Sequence, residues 1–163
     1  MSDIIDGNQL RRKILSDMRV DLTEEFGRNF ERKAFFTDRW KARSTPNPKG
    51  TLLMVTSTLR RSIRSEVRGN GVRFTSAVPY ASIHNEGGKI TVTAKMKRFF
   101  WYKYKITKDE MWKRMALMKV GKVITIQQRQ FIGDGKHTRE IIQRVIADNL
   151  KDINVQLTQV FRK

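Results

Sequence analysis

His84 and Glu86, in the stretch VPYASIHNEGGKI, are residue types that do proton chemistry, and they stand two apart. On a strand that spacing puts both side chains on one face; on a helix it points them apart. An imidazole and a carboxylate sharing a face could act as general acid and base. Two other chemistries need more than the chain offers. A metalloprotease helix carries two histidines four apart with a glutamate between them, and the only histidines are His84 and His137. A one-metal nuclease needs a second histidine close by, and His137 comes after a further strand-like segment. The absence of cysteine removes disulfides and thiolate metal sites. The triplets GNG at 69–71 and GDG at 133–135 lack the spacing and the Lys-Ser/Thr that cradle phosphate, and read as turns. The residues favour polar capping of a short turn for His84 and Glu86, with Gly87 and Gly88 ending that turn. No catalytic, metal or cofactor-binding residue is assigned, and no cofactor is expected.

The second chemical signal is charge. Thirty-four Lys and Arg face sixteen acids, a formal net charge of +18. Such a field attracts polyanions: nucleic acid, anionic lipid or an acidic protein. From Lys89 to Lys122 eleven basic residues are opposed only by Asp109 and Glu110. Among them stand Phe99, Phe100, Trp101, Tyr102 and Tyr104. Lys95, Lys97, Arg98, Lys103 and Lys105 are the candidate DNA-facing or partner-facing cations. Basic groups can follow a phosphate backbone while aromatic faces stack on unpaired bases. Equally, the aromatics can pack on a neighbouring subunit while the lysines stay solvated at its rim. An interfacial membrane helix would need a cleaner two-faced pattern. No apolar run approaches the roughly 20 residues that span a bilayer, and the N-terminus lacks the order of a secretory signal. A cytoplasmic origin with no membrane partner is the expectation.

The elements that must hold these residues follow from periodicity. Leu10, Ile14, Met18, Leu22, Phe26 and Phe30 recur at four-residue steps and predict a helix over 8–33, curved or broken near Gly27. Prolines and a glycine make 44–50 a loop. Leu52, Val55, Leu59 and Ile63 predict a second helix over 51–63. Alternation then takes over, with a hairpin turning at or near Asn70-Gly71 and the signature turn within 64–95. Strand period resumes over 89–95. Residues 96–122 form a basic aromatic insertion, with a helix from Asp109 to Met118 inside it. A strand is expected over 123–133, then a helix over 138–160 capped by Thr138, with Ile142, Val145, Ile146, Leu150, Ile153 and Leu157 on one face. The order predicts a single α+β domain over 1–163, an antiparallel sheet with N-terminal and C-terminal helices on one face.

The order of these pieces resembles the phage virion morphogenesis family. The match is carried by RWKARSTPN, LLMVTSTLRRSI, VPYASIHNEGG and RQFIG. Its residues are Trp40; Leu59, Ser62 and Ile63; Tyr80, Ala81, His84, Glu86, Gly87 and Gly88; and Arg129, Phe131, Ile132 and Gly133. Ser57 stands where the family usually has glycine, which predicts a different local turn; Gln127 and Gln130 stand where prolines are common. The resemblance implies a non-enzymatic tail-completion or neck subunit, ring-forming, added where head and tail join. Its implied partners are copies of itself, other neck and tail proteins, and the DNA that passes through. Its place is the host cytoplasm during assembly and then the virion. Tyr80 and Ala81 are expected to pack inward, with His84 and Glu86 fixing a turn or facing a neighbour. The rival reading is a free, non-specific nucleic-acid-binding protein that uses 89–122 as an arm.

Overall fold

A computed structural model describes residues 6–43 and 51–161; the loop expected at 44–50 lies outside them. The fold is α+β, with short antiparallel ladders between N-terminal and C-terminal helices. The chain forms two compact units: Met1–Ala81 with Arg129–Lys163, and Ser82–Gln128 between them in sequence. The expected single domain is therefore a discontinuous unit and a contiguous one.

The first unit is built on two long helices, α1 (Gly7–Arg32) and α6 (Lys136–Phe161), packed on each other. Asp6 caps α1 by accepting from the Asn8 N–H at 2.9 Å, satisfying a donor the first turn leaves orphaned. The four-step stripe buries Leu22, Phe26 and Phe30, with Leu15 buried beside it, and α6 answers with Ile141 and Val145. α1 runs through Gly27 as one helix, so the expected break is absent. It stops at Lys33, whose φ of 56° is left-handed. Where the helices meet, buried Asn149 accepts from Lys13 at 2.6 Å and donates to Asp17 at 3.0 Å.

Between them come β1 (Ala34–Phe35), β2 (Asp38–Arg39), α2 (Thr58–Ser62), β3 (Ile63–Arg68) and β4 (Gly71–Ser76). The expected helix over 51–63 is only the five-residue α2. Leu53 and Ser57 both sit at φ 57°, which ends any right-handed run, and Val55 is exposed. Ser57 thus takes the left-handed conformation that glycine prefers. The hairpin is as expected: Arg68 pairs with Gly71, and Gly69 supplies a positive φ of 59° in the turn.

The second unit holds the rest of α3 (Ala81–Glu86), then β5 (Gly88–Thr91), α4 (Ala94–Thr107), α5 (Glu110–Ala116) and β6 (Val123–Ile126). β5 and β6 pair from Gly88↔Ile126 to Thr91↔Val123. Strand period ends at Thr91, short of the expected 95, because Thr93 caps α4 by accepting from Met96 N–H at 3.2 Å. The insertion is a helical hairpin: Lys108, left-handed at φ 54°, closes α4, and Asp109 caps α5. Trp112 lies 6.0 Å from both Phe99 and Phe100, and Val92, Phe100 and Ala116 are buried.

One sheet was expected; among the described residues there are three two-stranded ladders. The strand expected over 123–133 ends at Ile126. Beyond it, the Gln130 and Phe131 carbonyls accept from the Trp40 and Asn29 side chains instead of from a ladder. Thr138 is also not a cap. α6 starts at Lys136, and buried Thr138 donates its hydroxyl to the Gly133 carbonyl at 2.9 Å.

Candidate functional site

Four residues singled out in the sequence, Trp40, Leu59, Ala81 and Phe131, meet in one buried cluster with Phe30. Ile63 and Ile132 pack against it. Phe30 stacks obliquely on Phe131 at 4.9 Å and meets Trp40 edge-on at 5.8 Å. Polar bonds tie the segments together. The Trp40 Nε1 donates to the Gln130 carbonyl at 2.7 Å. Asn29, fully buried, donates to the Phe131 carbonyl at 3.1 Å and accepts from the Phe36 N–H at 2.9 Å. Arg129 donates from Nε and Nη2 to the Lys41 carbonyl, each at 3.3 Å. Burial, with the charge of Arg43 beside it, lowers the pKa of that guanidinium. The Ser62 hydroxyl donates to the Leu59 carbonyl at 2.7 Å and lies 2.7 Å from the Ser76 hydroxyl, joining α2 to the hairpin. These contacts are structural: they tie the segments together, and those of Asn29 and Trp40 satisfy backbone groups wholly or partly withdrawn from water. Nothing in the sequence marked Asn29, which sits inside an apolar stripe as one more polar letter.

The signature turn is placed differently from its expectation in one respect. Ala81 is buried, but Tyr80 is 45% exposed, because it lies in the turn before α3 and only the next side chain points inward. His84 is half-buried and Glu86 exposed, in a helix of six residues. Gly87 follows at φ 75°, and a Cβ there would lie 3.0 Å from the Gln128 backbone nitrogen. The turn therefore needs glycine twice over, for conformation and for space. Among the described residues no group of three or more His, Cys, Asp or Glu side chains could hold a metal ion. A surface cleft of about 430 Å³ beside α1 is lined by Glu24, Arg28, Glu31 and Arg60, but Arg60 meets Glu31 at 2.7 Å and Arg28 is held by Glu24 and Glu25. Its charges already satisfy one another.

The five candidate cations divide on α4. Lys95, Arg98 and Lys105 are exposed, whereas Lys97 and Lys103 are half-buried. Lys103 lies over the Phe99 ring, 5.6 Å from its centroid, and so belongs to the packing of its own helix. Around α4 at about 100° per residue, Phe99, Tyr102 and Ile106 form one stripe with exposed Lys95 at its N-terminal end, and exposed Arg98 and Lys105 form an adjoining one. Those three apolar side chains are 48%, 59% and 61% exposed; Phe99 also packs edge-on against Trp112 and under Lys103, so Tyr102 and Ile106 make up most of the ridge left in water. Ile106 was not singled out from the sequence, although its i+4 spacing from Tyr102 was legible there. In 82–128 the ion pair present is Lys113–Glu110, at 3.5 Å. No helix of the described residues is long and apolar enough to cross a membrane.

The model of the phage virion morphogenesis family matches residues 3–151 of the 163. No curated protein and no solved structure matches the chain.

Proposed function

The chain belongs to the phage virion morphogenesis family, which gives it a structural role in building a phage particle, and from that premise we propose that it is a tail-completion or neck subunit. The family match over 3–151 is the observation that carries this reading. In this proposal copies of the chain assemble as a ring at the head-proximal end of the tail, beside other neck and tail proteins, and help join head to tail. The chain acts there as a building block, not a catalyst. Two features support that. The signature residues Trp40, Leu59, Ala81 and Phe131 are spent on a core. His84 and Glu86 serve a short turn closed by Gly87.

The charge fits the place. A ring in the neck surrounds the path of double-stranded DNA, and unbalanced cations lower the electrostatic cost of holding a polyanion there. Phosphate contacts of this kind are sequence-independent and salt-sensitive, so the DNA can still move.

Electron microscopy of particles made without this chain tests the reading. Separate full heads and finished tails, joined when the purified full chain is added, are the expected result. Joined, infectious particles in its absence would overturn it. A chain that stays monomeric until duplex DNA is added, and leaves assembly untouched, would favour the rival nucleic-acid-binding role. Plasmid nicking with divalent metal that disappears in His84→Ala would replace the structural role with a nuclease.

A further inference from the structure

We infer that the outer face of α4 docks a second virion protein, one offering an apolar groove rimmed by carboxylates. The inference rests on the neck reading and names a partner chemistry for it. Phe99, Tyr102 and Ile106 recur at steps of three and four, the spacing by which a helix sets anchors into a groove. Lys95 heads that stripe and Arg98 and Lys105 run alongside it, the three cations spanning about 15 Å of helix. Side by side, the two stripes ask for an apolar floor and an acidic edge.

Duplex DNA meets the basic stripe but not the other. Its outer surface is phosphate and sugar, and Ile106 offers no ring for an unpaired base to stack on. A second copy of this chain is a poor occupant too. Its acids on α1 are held in ion pairs: Asp17 by Lys13, Asp21 by Arg144, Glu25 by Arg32 and Glu31 by Arg60. The other exposed apolar pair on a long helix, Ile146 and Leu150 on α6, shares its face with Arg139, already held by Asp134, and, among the described residues of α6, with no carboxylate that the cations of α4 could meet. The occupant is therefore a different protein, acidic at its groove. DNA contact falls to cations off this face, such as Lys89, Lys119 and Lys122.

The test is co-sedimentation of labelled full chain with tails, and separately with filled heads, purified from particles made without it. Wild-type chain is expected to bind one of the two. Tyr102→Ala/Ile106→Ala trims two side chains that lie mostly in water, and is expected to weaken binding about thirtyfold or more while circular dichroism stays unchanged. Lys95→Glu/Arg98→Glu/Lys105→Glu is expected to weaken it comparably and to remove most of its salt dependence. Nuclease treatment should change nothing. Wild-type affinity in the Tyr102/Ile106 variant, or binding abolished by nuclease, overturns the inference and leaves the neck reading standing. Wild-type chain that binds neither particle overturns the neck reading itself.

Discussion

In the unit built on α1 and α6, Lys13 meets Asp17, Arg32 meets Glu25, Arg60 meets Glu31, Arg144 meets Asp21 and Arg139 meets Asp134. In 82–128 eleven cations share three acids, and the ion pair there is Lys113–Glu110. The first unit also buries two aromatic-lined clusters, while the second keeps Phe99, Trp101, Tyr102 and Ile106 partly in water. The difference separates two jobs. One unit spends its chemistry on holding itself together. The other packs part of its aromatic surface on Trp112 but leaves Tyr102, Ile106 and most of its cations in water, which is the mark of surface kept for something outside the chain.

Changes to the two units should therefore behave unlike each other. The largest effect belongs to the aromatic cluster: Phe30→Ala or Phe131→Ala should cost about 4 kcal/mol, read from urea midpoints. A loss below about 1 kcal/mol would mean that the cluster is not what holds the unit. Next comes Asn29→Leu, which strands the Phe131 carbonyl and the Phe36 N–H; about 3 kcal/mol is expected from those two buried groups. In the second unit Gly87→Ala should cost about 2 kcal/mol, through the positive φ and the crowding at Gln128. The sharpest contrast is a matched pair of charge reversals. Arg32→Glu should cost about 0.5 kcal/mol by breaking its pair with Glu25, whereas Lys105→Glu should leave stability unchanged or raise it by a similar amount. Equal losses in both would erase the distinction.

The smallest effect is with pH. Hydrogen bonds from Lys13 and Asn149 lower the Asp17 pKa. Burial pushes Glu25 up, but the bonds and charges of Arg32 and Arg28 more than offset it and leave it lowered. A carboxylate whose pKa is lower folded than unfolded stabilises above its unfolded value, near 3.8 for Asp17 and 4.5 for Glu25. That contribution is lost as the pH falls through the folded value. Thermal melts should therefore decline below about pH 4, and Asp17→Asn/Glu25→Gln should flatten the decline.

The long helices were legible because a four-step apolar stripe has one physical cause, burial of one face, and α1 and α6 both show it. The hairpin was legible because Gly69 and Asn70 break an alternation that nothing else interrupts. The stretch 94–116 was harder. An element that is half in water carries apolar residues on more than one side, so aromatics and lysines mix without a clean period, and only the segment from Asp109 onward read as helix. Partner choice among strands was not legible either. Trp40 and Asn29 compete for carbonyls about a hundred residues away, and no local pattern records such a bond. The α6 stripe misled in part. Ile146 and Leu150 follow the same spacing as buried Val145, yet both are exposed, because the contact face is carried by Ile141, Val145 and Asn149. Of the candidate site residues, Trp40, Leu59, Ala81 and Phe131 touch in one cluster while Tyr80 and Glu86 are exposed, a division that only the packing shows.

The interrupted layout of the first unit has a consequence for the chain as it leaves the ribosome. α1 emerges early, but its apolar stripe is sealed by Phe131, Ile141 and Val145, which emerge last. The stretch 82–128 is contiguous and its ladder closes within it, so it can form while the earlier helix still waits for cover. A nascent chain in which 82–128 has cleared the ribosome and the residues from Phe131 on have not would hold a finished cationic hairpin attached to an unsealed greasy helix, a natural client for a chaperone.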